Sequence, residues 1–167
     1  RHRAALAVGA ELQAYLRELG EQRVDPATSA RLLALEQRQS LVASLGDSVQ
    51  GFVETLGRLR APDSTPAPLL DALLESLDTL VLTTIDVLRS GDPDDVAMLL
   101  SLTSDRGDLM ERLRRQLLAA ADPALDHGRK SDLFYLTSLF ERTVWLLRQL
   151  ALGRQTLLRP ANSDTET

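Results

Sequence analysis

The chain has 167 residues, a length that suits one domain, and no cysteine, which excludes disulfides, thiolate metal sites and cysteine nucleophiles. Leu makes up about a fifth of it, beside much Ala, Glu and Arg and only 4% aromatic residues, a composition that favours helix over sheet. Net charge is −5 with both signs spread along the chain, so no basic patch offers itself to nucleic acid.

Residues 4–22 read as a first helix, with Val8, Leu12, Tyr15, Leu16 and Leu19 on its apolar face. Gly20 and the turn Val24-Asp25-Pro26 end it, because the residue before proline avoids helical angles. Thr28 or Ser29 is placed to cap a second helix that runs to about Arg60. Leu35, Val42, Leu45, Val49, Phe52, Leu56 and Leu59 mostly follow a 3/4 heptad, the pattern of antiparallel bundle packing. Gly46, Gly51 and Gly57 interrupt it at a cost of about 1 kcal/mol each against Ala, which predicts close helix approach or a local kink.

Residues 61–68, Ala-Pro-Asp-Ser-Thr-Pro-Ala-Pro, read as a linker, since their prolines forbid a continuous helix. Thr65 or Ala67 then caps a third helix, with Pro66 or Pro68 at its first position. Its inner face is Leu70, Leu73, Leu77, Leu80, Val81, Thr84 and Leu88, and Ser90-Gly91 stops it. In Asp92-Pro93-Asp94-Asp95 the first Asp caps, Pro93 presets φ, and the next carboxylates meet the positive end of the helix dipole. The fourth helix is expected to reach about Ala120, with a stripe of Val96, Leu99, Leu100, Met110, Leu113 and Leu117 that turns small and polar at Thr103, Arg106 and Gly107. Asp122-Pro123 opens either an early start to the fifth helix or a loop lasting to Ser131, and Gly128 favours the loop.

The fifth helix is expected to end near Leu158, before Pro160. Leu133, Leu136, Phe140, Val144, Leu147 and Ala151 form one stripe, widened by Tyr135, Leu139, Leu146 and Leu150. Phe134, Tyr135, Phe140 and Trp145 all lie here, while the rest of the chain has only Tyr15 and Phe52. Aromatic side chains bury the most area per residue, so this helix is predicted at the centre of the fold. Residues 159–167 are polar and read as a disordered tail. The expected fold is all-α: residues 1–158 as a single antiparallel up-and-down bundle of about five helices. No apolar run approaches the ~20 residues needed to span a bilayer, and no signal peptide opens the chain.

Few residues carry candidate chemistry. His2 and His127 fall near a terminus and in the predicted loop, and no Glu-x-x-His occurs, which argues against a di-iron site. Asp71, Glu75 and Asp78, at i, i+4 and i+7, share one face of the third helix. Those carboxylates could hold a metal, although an acidic face is more often simply solvated. Asp105, Asp108 and Glu111 make a looser set. Arg106 interrupts the fourth stripe, and Glu141 sits at the edge of the fifth. A helical hairpin turning near residues 121–131 places the two within about a turn of each other, as a half-buried ion pair that fixes register or as an anion contact. No nucleophile, base and orienting group come together, so the chain is not expected to be an enzyme, and no cofactor is implied.

The run Leu102-Thr103-Ser104-Asp105-Arg106-Gly107-Asp108-Leu109-Met110-Glu111-Arg112-Leu113-Arg114 resembles a segment of bacterial sodium/phosphate cotransporter proteins. So do Leu139-Phe140-Glu141-Arg142-Thr143-Val144-Trp145-Leu146-Leu147 and, less strongly, Glu36-Gln37-Arg38-Gln39. In those proteins a PhoU-like helical domain follows the membrane transporter portion. The resemblance covers most of the chain after about residue 30. It implies a PhoU-like bundle on the cytoplasmic side of the cell membrane that regulates transport or assembly by docking on the transporter domain of the same protein or on a second copy of itself. A first residue other than Met fits a piece of a longer protein. The family carries acidic Glu/Asp-x-x-x-Asp metal motifs. The nearest match is Asp71-Ala72-Leu73-Leu74-Glu75, which ends in Glu and has no clear second copy. The competing expectation is a free-standing helical interaction module unrelated to phosphate.

Overall fold

Helices supply all the regular structure in the computed structural model, which describes residues 2–22, 25–60, 67–104, 111, 114, 115 and 127–158. They are α1 (His2–Gly20), α2 (Pro26–Leu59), α3 (Ala67–Ser90), α4 (Pro93–Leu102) and α5 (His127–Leu158). No strand occurs among the described residues, and the isolated residues Glu111, Arg114 and Arg115 are also helical. The fold is therefore all-α, as the composition implies. The chain divides into two compact units, Arg1–Asp47 and Ser48–Thr167, with the boundary inside α2.

In the first unit, α2 begins at Pro26 because Asp25 caps it. One Asp25 carboxylate oxygen accepts from the Ala27 and Thr28 amides at 3.0 and 3.1 Å, and the other accepts from the Thr28 hydroxyl at 2.6 Å. This replaces the expected Thr28 or Ser29 cap. Asp ranks above Thr as a cap, and Pro26 behind it already has its φ set for the first helical position. Helix α2 begins a few residues after α1 ends, and the Gly9 backbone lies against the Gln39 side chain, so α1 and the first part of α2 run antiparallel. Leu16 is the one large apolar side chain described as buried in this unit. Val8, Leu12, Tyr15, Leu35 and Val42 fall at the expected helical spacing, but all five are exposed.

The second unit holds the main core. The rest of α2 contributes Ser48, Phe52, Thr55, Leu56 and Leu59. From α3 come Leu70, Leu73, Leu77, Leu80, Thr84 and Val87, and from α4 Val96 and Leu99. The central helix is α5, which packs on both α3 and α4 and meets α2 through Phe52 and Phe140, whose ring centroids are 6.3 Å apart. Residue pairs run in opposite order along neighbouring helices. Ser48 meets Thr143, Gly51 lies against Leu139, and Arg58 meets Asp132. Likewise Gly91 lies against Arg154 and Leu100 meets Arg148.

The α5 stripe is buried as read, except for Tyr135, but its aromatics are not what centres it. Phe140 is buried, whereas Phe134, Tyr135 and Trp145 are each about half exposed. Leu, Val, Ala and Thr fill the stripe, and Phe134 and Trp145 lie off it. Gly51 serves the expected close approach, since a Cβ there would come within 3.3 Å of Leu139 Cδ1. Gly57 faces open space.

Two boundaries differ from expectation. The helix expected to reach Ala120 stops at Leu102, with Thr103 as its C-cap. The Thr103 hydroxyl donates to the Leu99 carbonyl at 2.7 Å and the Ser104 amide turns back to Ser101, so the ladder does not propagate. Helix α5 starts at His127 and takes in Gly128, so no loop lasts to Ser131. By contrast the α3–α4 turn is as read: Gly91 has φ 65° and donates to the Val87 carbonyl, and Asp92 caps α4 by accepting from the Asp94 amide at 2.9 Å. The capping position of α3 and the tail 159–167 lie outside the described residues.

Candidate functional site

A polar line runs along α5 at the edge of its apolar face: Thr137, Glu141 and Arg148, at i, i+4 and i+11, fall on one side of the helix. Each meets a residue from the segment between α4 and α5 or from the end of α4. Arg114 reaches in with Nε donating to the Thr137 hydroxyl at 2.9 Å and Nη2 donating to Glu141 Oε2 at 2.6 Å. The Thr137 hydroxyl donates onward to the Phe134 carbonyl at 2.9 Å. Glu111 stands 3.9 Å from Arg114 Nη1. Further along, Arg148 Nη1 donates to the Leu100 carbonyl at 2.6 Å.

The guanidinium described at Glu141 is that of Arg114, which was not the expected partner. Arg106 lies outside the described residues, as do Asp105 and Asp108. Sequence reading missed Arg114 and Arg148. The available signal was the polar line itself, which recurs over several turns beside a Leu stripe and so points at a facing helix rather than at water.

Asp71, Glu75 and Asp78 share a face of α3 but stay exposed. Asp71 is ion-paired with Arg60. Among the described residues no three His, Cys, Asp or Glu side chains come together as a metal group. Glu75 lines a shallow depression of about 360 Å³ with Ala72, Ser76, Thr79, Leu80 and Leu102. His127 is exposed. At the other end of α5, the Arg154 guanidinium covers Gly91, and its buried Nε has no hydrogen-bond partner among the described residues.

Two buried or bridging polar contacts tie α2 to α5. Ser48 Oγ and Thr143 Oγ1 are 2.9 Å apart, and the Thr143 hydroxyl donates to the Leu139 carbonyl at 2.7 Å. The Ser48 hydroxyl also lies within donating distance of the same Leu139 carbonyl, at 3.2 Å, so the two hydroxyls and the carbonyl form one satisfied cluster. Arg58 Nη2 donates to Asp132 at 3.0 Å and to the Thr55 hydroxyl at 3.1 Å. The Asp132 carboxylate pushes the Arg58 guanidinium further up from its ordinary value. These contacts hold helices in register, and none presents a nucleophile to a base. The other chemically distinctive surface is apolar: Val8, Leu12, Tyr15, Leu35 and Val42 in the first unit, and Val53, Leu82, Met98 and Trp145 in the second, remain exposed. No described helix is long and apolar enough to cross a membrane. Comparison with family models, with curated proteins and with solved structures gives no match.

Proposed function

We propose that the chain is a docking module that acts through helix faces and performs no chemistry of its own. One observation carries this reading: large apolar side chains repeat at helical spacing on exposed faces, above all on the α1–α2 hairpin. Isolated exposed apolar residues are ordinary, but a patterned set marks an interface. The likeness of two runs to sodium/phosphate cotransporter proteins supports a specific form of the reading. In that form the chain is a PhoU-like antiparallel bundle on the cytoplasmic side of the membrane, docked on a sodium-coupled phosphate transporter domain and regulating it. The opposite-order residue pairings within each unit support antiparallel neighbours. Regulation requires that the docked contacts differ between transporter states, because a partner with equal affinity for both shifts nothing.

The test deletes residues 30–158 from the transporter that carries them and measures sodium-dependent phosphate uptake and its response to phosphate supply. The expected result is altered regulation or assembly of the complex. Unchanged uptake, response and assembly overturn the transporter form and leave an interaction module unrelated to phosphate.

A further inference from the structure

Helix α1 and residues 26–47 of α2 form a helical hairpin with almost no interior among the described side chains. Val8, Leu12 and Tyr15 of α1, at i, i+4 and i+7, are 65%, 43% and 58% exposed, and Leu35 and Val42 of α2 are 48% and 47% exposed. Two helices cannot enclose a core, whereas four can.

The direction of these stripes follows from helix geometry. On α1 the face toward α2 passes through Gly9 and Leu16, and the stripe is turned from it by about 80°, at about 100° per residue. On α2 the face toward α1 passes through Gln39, and Leu35 and Val42 are turned from it by about 50° in the same rotational sense. Because the helices run antiparallel, equal senses put both stripes on one side of the hairpin. The result is one two-helix apolar face. Leu6 and Leu33, also exposed, lie off it.

The two long edges of this face carry opposite charge. Turning further in the same sense reaches Glu11 and Glu18 on α1, and Arg31 and Arg38 on α2. Each pair is spaced i, i+7. With Gly9 level with Gln39, Glu11 falls level with Gln37 and Glu18 with Ala30, each one residue from Arg38 and Arg31 respectively.

We infer that this face docks a second copy of the chain, forming a two-fold antiparallel four-helix bundle in which α1 of each copy lies across α2 of the other. A two-fold axis parallel to the helices preserves their level. It therefore sets Glu11 beside Arg38 of the partner subunit and Glu18 beside Arg31 of the partner subunit, twice over. The other face-to-face two-fold stacks α1 on α1, setting glutamates against glutamates and arginines against arginines. The apolar stripes supply the attraction, and the edge charges select the arrangement. The inference rests on the docking reading above and names the occupant of this one face.

The test is sedimentation of the whole chain at about 10 µM, where an association of micromolar strength or tighter is visible. A dimer is expected. Leu12→Glu with Val42→Glu is expected to weaken it by more than about a hundredfold, because it places unpaired carboxylates in an apolar seam. Circular dichroism reports whether that variant stays helical. Four substitutions at edge positions give an independent readout: Glu11→Arg with Glu18→Arg in one chain, and Arg31→Glu with Arg38→Glu in another. Each variant alone is expected to be monomeric, and an equimolar mixture to restore the dimer as a heterodimer. A monomeric wild type, or a dimer indifferent to both sets of changes, overturns the proposal and assigns the face to a different protein. Phosphate uptake is read separately, so dimerisation can fail while the transporter reading stands, and the reverse.

Discussion

Arg148 on α5 closes the C-terminus of α4, its Nη1 donating to the Leu100 carbonyl at 2.6 Å. In a continuing helix that carbonyl would accept from the Ser104 amide, but that amide bonds Ser101 instead. A guanidinium at a helix C-terminus also meets the negative end of the dipole. Arg148→Met, which keeps the aliphatic stem, is expected to lower stability by about 1–2 kcal/mol, discounted from the usual range for a charged hydrogen bond because Arg148 is only half buried. Arg142→Met, on an exposed position of the same helix, should change it by less than about 0.5 kcal/mol. Urea melts of the two variants decide; equal effects would mean that the α4 terminus does not depend on this contact.

Two glycines in helices or turns should respond to Ala in opposite directions. Gly57 lies inside α2 facing open space, so Gly57→Ala should stabilise by about 0.5–1 kcal/mol through backbone entropy. Gly91 is held at φ 65° beneath the Arg154 guanidinium, so Gly91→Ala should destabilise by about 1–2 kcal/mol. Thermal melts showing both shifts in the same direction would contradict this assignment.

The Asp25 cap gives the α1–α2 hairpin an acid-sensitive end. The Thr28 hydroxyl, then the Thr28 amide, hold the Asp25 carboxyl below its ordinary value. A depressed carboxyl contributes stability that is present above its unfolded value, about 4, and is lost as pH falls through the lower folded value. Asp25→Asn keeps a capping oxygen but removes the titration. The stability difference between wild type and this variant should therefore be constant from neutral pH down to about 4 and shrink below it. A difference that does not change with acid would place the cap's contribution elsewhere.

Arg114 and Glu141 should behave as a coupled pair. Their side chains are 21% and 37% exposed, so the interaction is only partly shielded from water. A double-mutant cycle with Arg114→Ala and Glu141→Ala should give a coupling of about 1 kcal/mol, falling at high salt. Arg114→Ala should cost more than Arg115→Ala, because it also removes the donor to Thr137. Zero coupling would show that each side chain is solvated independently.

Much of this was legible in the residues. The α5 stripe, most of the inner face of α3 and the Gly91-Asp92-Pro93 turn follow from spacing and cap chemistry, which are local, although on α3 Val87 is buried while the expected Val81 and Leu88 are only half-buried. What local pattern could not give was the covering of each face. Leu35 and Phe52 belong to the same apparent heptad, yet Phe52 is buried and Leu35 is half exposed, because periodicity reports a face and not its partner. The end of α4 was equally hidden. Thr103 and Ser104 tolerate helix, and what stops it is satisfied by Arg148, 48 positions from Leu100. Asp25 was overlooked as a cap because the Asp-Pro pair reads first as a helix stop, when it serves as the next helix's start.

The boundary inside α2 has a further consequence for how the protein opens. Residues 26–47 contribute no fully buried side chain, whereas residues 48–59 contribute five. One unbroken ladder of backbone hydrogen bonds thus spans two regions with very different resistance to local unfolding. Amide exchange should step along a single helix, fast through Arg38 and slow through Leu56. Trypsin should cut after Arg31 or Arg38 well before Arg58, releasing a fragment that retains the entire Phe52–Phe140 core.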